Sequence, residues 1–104
     1  MVFLNGVVNG AEEKLWCIAD FQIPAEVLQR EMDLICNGGG TDCSAISPGG
    51  ACYDPNTLLG HASYAYNTYW QNNKHNTGCY MNAAAIQTIN DPSHGSCIFE
   101  FIPF

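Results

Sequence analysis

Between Cys52 and Gln71 the chain gathers residue types suited to holding an uncharged, hydroxyl-rich ligand. Four aromatic side chains, Tyr64, Tyr66, Tyr69 and Trp70, fall within seven positions. His61, Ser63, Asn67, Thr68 and Gln71 are threaded among them, and Asp54 is the one charge in the stretch. A ring offers a flat apolar face, and neutral amides and hydroxyls exchange hydrogen bonds with water or ligand at little net cost. That is the chemistry of binding rather than of bond-making.

The element that positions these groups is a helix. Pro55-Asn56-Thr57 is a helix start, with Asn56 and Thr57 reading as capping residues rather than ligands. At about 100° per residue, Leu58, Leu59, Ala62, Ala65, Tyr66, Tyr69 and Trp70 share one broad apolar arc. Small Ala62 and Ala65 let a neighbour approach closely. His61, Asn67, Thr68, Gln71 and Gly60 lie opposite, and so does Tyr64, the aromatic that departs from the core arc. An isolated exposed ring is common, but the polar groups around Tyr64 favour a ligand platform. Gly60, costly in a helix by about 1 kcal/mol against Ala, leaves that ring face uncovered.

The chain has 104 residues, which predicts one domain. Six cysteines in so short a chain indicate a disulfide framework and an oxidising, extracellular compartment. Spacing alone does not choose among the 15 pairings that six cysteines allow. No Cys-x-x-Cys is present, and neither a metal nor a cofactor is expected. Three basic residues (Lys14, Arg30, Lys74) against ten acidic ones give a net charge of −7. Such a balance argues against nucleic acid, whose affinity rests on phosphate neutralisation, and against an anionic membrane surface. Direct membrane insertion is not expected, since no run approaches the roughly 20 apolar residues of a span. The first ten residues lack the basic n-region and apolar run of a signal peptide. A mature form or a domain of a longer parent reconciles that with the cysteines.

Taken in order, residues 1–14 read as a flexible lead-in and Leu15 to Ala19 as an edge strand. Pro24 opens an amphipathic helix carrying Val27, Leu28, Met32, Leu34 and Ile35, ending near Cys36 and stopped by Asn37-Gly38-Gly39-Gly40. Residues 41–54 form a loop pinned by Cys43 and Cys52. After the aromatic helix, which frays at Asn72-Asn73, residues 84–90 and 96–101 are strand-like, with 90–95 as a hairpin loop between them. The apolar tail, 100–104, packs on the sheet or begins a longer parent chain.

Several blocks together carry a resemblance: Trp16-Cys17, a helix ending in Cys36, Asp42-Cys43-Ser44-Ala45-Ile46 and Pro48-Gly49-Gly50-Ala51-Cys52-Tyr53. Pro55-Asn56-Thr57, His61-Ala62-Ser63-Tyr64-Ala65, Asn67, Tyr69, Gln71, Asp91-Pro92-Ser93 and Gly95-Ser96-Cys97 complete it. Over about residues 15–99 the sequence resembles the plant X8 domain, or carbohydrate-binding module family 43. The resemblance implies a small disulfide-rich α+β fold of two packed helices, a small antiparallel sheet and long coil. It implies the bridges Cys17–Cys79, Cys36–Cys43 and Cys52–Cys97. It further implies a non-catalytic, secreted module of the plant cell wall that binds β-1,3-glucan, the callose polymer. Such modules occur free, as in pollen allergens, on membrane-anchored proteins, or attached to a glucanase domain in a longer parent. Gly60 and Trp70 depart from the family pattern, and residues 1–14 and 100–104 fall outside it.

The expected mechanism stacks Tyr64 on a glucosyl ring. Asn67, Gln71 and His61 hydrogen-bond its hydroxyls, and Tyr53 and Trp70 flank it. Asp54, Asp91 and Glu100 can be paired on paper as glycosidase carboxylates, but the chain is short for a polymer cleft and no enzyme is expected. His61, His75 and His94 have no nucleophilic partner at a recognisable spacing. The alternatives are a secreted structural or protein-interaction domain that has lost glucan binding, or a fragment of a larger β-1,3-glucanase.

Overall fold

The computed structural model describes residues 13–38 and 40–103. Gly39, Phe104 and all but the last two residues of the lead-in lie outside that range. The elements run β1 (Trp16–Ala19), α1 (Ala25–Gly38), a short 3-10 turn (Ser44–Ile46), α2 (Leu58–Asn73) and β2 (Ala85–Thr88). With its antiparallel two-stranded sheet and three disulfides, the chain has the expected small disulfide-rich α+β fold.

Each helix starts where its sequence supplies the missing partners. The Pro24 carbonyl accepts the N–H groups of Val27 (3.0 Å) and Leu28 (3.2 Å), opening α1 where an absent proline N–H costs nothing. Leu28 and Ile35 bury the inner face of α1, joined there by Glu31. Leu34, expected with them, is 59 % exposed, because it lies about 100° round the helix from Ile35. Thr57 caps α2, its hydroxyl accepting the Gly60 N–H at 3.1 Å. Ala62 and Ala65 are fully buried, and this small-residue face lets α2 pack against both α1 and β1.

β1 divides the interior in two. Its pairing with β2 runs Trp16↔Thr88, Cys17↔Gln87, Ile18↔Ile86 and Ala19↔Ala85. Alternation sends Cys17 and Ala19 into a core with Leu28, Ile35, Tyr66 and Trp70. Trp16 turns the other way, into a smaller core with Cys52, Cys97 and Phe99.

Residues 96–101 are not a strand, and 90–95 is therefore not a hairpin loop between strands. β2 takes β1 as its partner, and His94 and Cys97 close a tight turn on each other. The tail is held by side chains instead. Ser93 Oγ accepts the Phe99 N–H (2.8 Å), Trp16 Nε1 donates to the Phe99 carbonyl (3.1 Å) and Gln71 Oε1 accepts the Ile102 N–H (2.9 Å). With its backbone groups paired in this way, the segment needs no ladder.

The bridges are Cys17–Cys79, Cys36–Cys43 and Cys52–Cys97. Cys17–Cys79 and Cys52–Cys97 span 62 and 45 residues. In the chain-entropy model each contributes about 4 kcal/mol by restricting the unfolded chain.

Candidate functional site

His61, Tyr64, Thr68 and Asn72 recur at intervals of three and four residues, so they form one stripe along α2, about 16 Å long. Tyr64 is half-buried. Its ring rests edge-on against Phe99, with centroids 5.5 Å apart and planes at 76°, and Phe99 is itself only 5 % exposed. The ring therefore stands on a rigid backing.

Beside it opens a cleft of about 530 Å³, lined by Tyr64, Thr68 and Asn72 from α2, Thr41 and Asp42 from the loop, and Glu100 from the tail. The disulfides place these walls: Cys36–Cys43 fastens the loop to the end of α1, and Cys52–Cys97 fastens the start of the tail. Asn72 Nδ2 reaches both the Thr68 carbonyl (2.8 Å) and Glu100 Oε1 (3.3 Å). Asp42 accepts the Ser44 N–H at 3.0 Å. That bond, with a second from the Ser44 hydroxyl, holds the Asp42 carboxyl below the usual carboxylate range. The Thr68 hydroxyl is buried with no hydrogen-bond partner among the described residues. One aromatic face, an amide and two carboxylates thus converge on one cavity.

At the N-terminal end of the stripe Tyr53 packs on His61, ring centroids 5.5 Å apart. His61 Nε2 stands 2.7 Å from the Tyr53 carbonyl, and because a carbonyl can only accept, Nε2 carries the proton. The contact fixes the 53–57 loop over the start of α2. Of the side chains expected to meet a ligand, Tyr64, His61 and Tyr53 are thus brought to one half-buried surface.

Asn67, Gln71 and Trp70 are not: the two amides leave the outer helix face they were assigned to, and Trp70 keeps to the apolar arc instead of flanking a ligand. Asn67 is fully buried, and Gln71 and Trp70 are 2 % and 3 % exposed. Asn67 Oδ1 accepts the Cys17 N–H (3.0 Å), and its Nδ2 donates to the Glu100 carbonyl (3.0 Å). Gln71 Nε2 donates to the Leu15 carbonyl (2.9 Å), while its Oε1 also accepts from Lys74 Nζ (2.9 Å). These amides are committed to the backbones on either side of α2. Trp70 belongs to the larger core, with the Lys74 ammonium 5.2 Å from its ring centroid. Sequence reasoning passes over Thr41, Asp42 and Asn72 as site residues and takes Glu100 only as a paper carboxylate, not as a binding group. Asn72 continues the Tyr64–Thr68 spacing and carried a signal; the loop and tail residues reach the cleft only through disulfides and long-range contacts.

The carboxylates that could be paired on paper have separate tasks. Asp91 caps a turn by accepting the Ser93 N–H (2.9 Å), and Ser93 holds its carboxyl below the usual range. The Glu100 carboxylate accepts from Asn72 at the cleft, and Asp54 meets His94 through its backbone carbonyl.

The architecture is that of a small, disulfide-stapled domain with an aromatic and polar cleft on one helix. The X8 domain family model matches residues 15–86, and the chain belongs to that family. It is 42 % identical over 91 residues to "Glucan endo-1,3-beta-glucosidase 12" of Arabidopsis thaliana, covering 86 % of this chain and 17 % of the relative. It is 43 % identical over 94 residues to "Glucan endo-1,3-beta-glucosidase 1" of the same plant, covering 89 % and 18 %. It is also 39 % identical over 87 residues to "Major pollen allergen Ole e 10" of Olea europaea, covering 83 % and 71 %. The chain thus spans under a fifth of the length of the glucosidases. No solved structure matches it.

Proposed function

We propose that the domain binds carbohydrate without cleaving it, and that its ligand is β-1,3-glucan. The observation that carries this reading is the Tyr64 ring, backed by Phe99 and opening on a cleft of hydroxyl, amide and carboxylate groups. A sugar ring presents an apolar C–H face to such an aromatic and hydroxyls to the polar wall. The linkage comes from the relatives, whose names specify 1,3-β-glucan as substrate. In this reading Tyr64 stacks, and Asn72, Asp42, Thr41 and Glu100 take the hydroxyls. Tyr53 and His61 extend the surface. Asn67, Gln71 and Trp70 hold the frame.

A binding role fits the placement of the carboxyl groups. A glycosidase needs two carboxyl groups flanking one cleft, whereas Asp91 accepts the turn-closing Ser93 N–H away from the cleft walls and Asp42 is tied to the Ser44 N–H. The three disulfides fit an extracellular wall setting, and the relatives fit a glucanase domain as a neighbour in a longer parent.

Native affinity gels containing laminarin, with cellulose-type and mixed-linkage glucans beside them, test the reading. Laminarin retards the wild type selectively, and Tyr64→Ala weakens retention roughly tenfold, a loss of about 1.4 kcal/mol. Equal migration with and without laminarin, in protein whose disulfides are verified, overturns it and turns attention to a protein partner. Release of reducing ends from laminarin by pure protein overturns the non-catalytic part.

A further inference from the structure

A second cleft, of about 460 Å³, lies on the other side of the last turns of α2. Its walls include Glu31 and Leu34 of α1, Tyr69 of α2, and Tyr80, Met81 and Asn82 of the segment that follows. Tyr80 is 62 % exposed, yet its neighbour Cys79 is bridged to Cys17 and its carbonyl accepts the Ala85 N–H at 3.1 Å. It is an exposed ring on a fixed backbone. Glu31 is only 6 % exposed; Asn82 Nδ2 donates to its Oε2 at 3.1 Å, with Arg30 Nε 3.6 Å from the same oxygen.

The backbone here is costly. Met81, Asn82 and Ala83 all adopt left-handed φ values, 46°, 54° and 71°, without a glycine among them. Strain of this kind persists where surrounding structure over-determines it, and it clusters at ligand clamps. In this segment it turns the chain so that Tyr80 and Asn82 flank one cavity with Glu31.

Lining residues of the two clefts are neighbours. Asn73 lines the first and donates through Nδ2 to the Tyr69 carbonyl at 2.7 Å; Tyr69 lines the second. Gly40 edges the first, and Gly38, at the end of α1, edges the second. From Tyr64 to Asn73 the helix rises about 14 Å, more than one sugar ring covers.

We propose that the second cleft continues the polysaccharide path. A chain seated on Tyr64 crosses the Asn72-Asn73 turn and lays a later unit on Tyr80, with its hydroxyls toward Asn82 and Glu31. The inference rests on the glucan reading and deepens it: the site is a two-platform groove that grips the interior of a polymer. Short oligosaccharides occupy the Tyr64 platform alone, and affinity rises once the ligand reaches Tyr80.

Calorimetric titration with β-1,3-gluco-oligosaccharides of increasing length tests this on the wild type, Tyr80→Ala, Tyr80→Phe and Tyr64→Ala. The expected result is a length-dependent gain of roughly tenfold in the wild type. Tyr80→Phe keeps that gain, and Tyr80→Ala loses it while binding the shortest ligand as before. Backbone amide shifts at Met81–Ala83 then respond only to the longer ligands. If Tyr80→Ala keeps the full gain while Tyr64→Ala abolishes binding, the second platform is wrong and the glucan reading stands. If no ligand of any length binds the wild type, both fall.

Discussion

Gln71 Nε2 donates to Asn67 Oδ1 at 3.1 Å, one turn apart on α2, joining two buried amides into a single post. From that post bonds run to Cys17 and Leu15 on one side and to Glu100 and Ile102 on the other. α2 thereby fills the place beside β1 that a third strand would occupy. Replacing Asn67 by Leu keeps the branching of the side chain but leaves the buried Cys17 N–H and the part-buried Glu100 carbonyl without their partner. The expected cost is about 3 kcal/mol, read as a lower urea midpoint with intact disulfides.

Gly50 is required by its surroundings. A Cβ there would strike the backbone carbonyl of Ala45 and lie 2.7 Å from that of Ser44, and neither can swing aside as a side-chain tip can. Gly50→Ala should cost about 2 kcal/mol, while Gly38→Ala, which meets nothing within 4 Å, should be neutral or slightly stabilising. Thermal unfolding of the two variants side by side checks the contrast.

His94 links two loops. Nδ1 stands 3.0 Å from the Pro92 carbonyl and Nε2 3.3 Å from the Asp54 carbonyl, so the doubly protonated ring is favoured and its pKa is raised. A raised folded-state value gives stability that is fully present below the ordinary histidine range, about 6.5. It is lost as the pH rises through the folded value. Urea midpoints of the wild type should fall across that window, and the profile of His94→Gln should be flatter. Asp42 and Asp91 act in the opposite sense: their contribution is lost as the pH falls through their lowered values.

Tyr66 donates its hydroxyl to the Leu28 carbonyl at 2.9 Å. Burial, and secondarily the charge of Glu31, push its pKa up to about 12. The unfolded chain loses that proton near pH 10, so stability should decline from about pH 10 toward about pH 12. Tyrosinate absorbance should show a late phase from Tyr66, absent in Tyr66→Phe. That variant should also lose about 1 kcal/mol with this hydrogen bond.

The sequence made the helices plain because their apolar spacing is local. Leu28 and Ile35 mark the buried face of α1, and Ala62, Ala65, Tyr66 and Trp70 that of α2. Tyr64 stood out for the same reason, as the ring off the arc. Periodicity failed where polar groups are buried, since it assigns every amide to solvent, and Asn67 and Gln71 are inside because distant backbone groups need them. The apolar tail looked like a strand because hydrophobicity does not tell whether a segment's partners are another backbone or side chains from a helix. Asp42 and Glu100 could not be placed on paper; their position depends on the Cys36–Cys43 and Cys52–Cys97 closures. Spacing left those pairings open, and a whole-domain resemblance supplied them.

The division of the interior by β1 gives each half its own optical reporter. Trp16 lies in the smaller core beside Phe99, and Trp70 in the larger one beside Ala65 and Tyr66. Those are the chain's two tryptophans. Emission from a single-tryptophan variant therefore follows one half of the molecule at a time. The half carrying Phe99 is the one that backs Tyr64, so the stiffness of the binding platform can be followed in the protein's intrinsic fluorescence without an added dye.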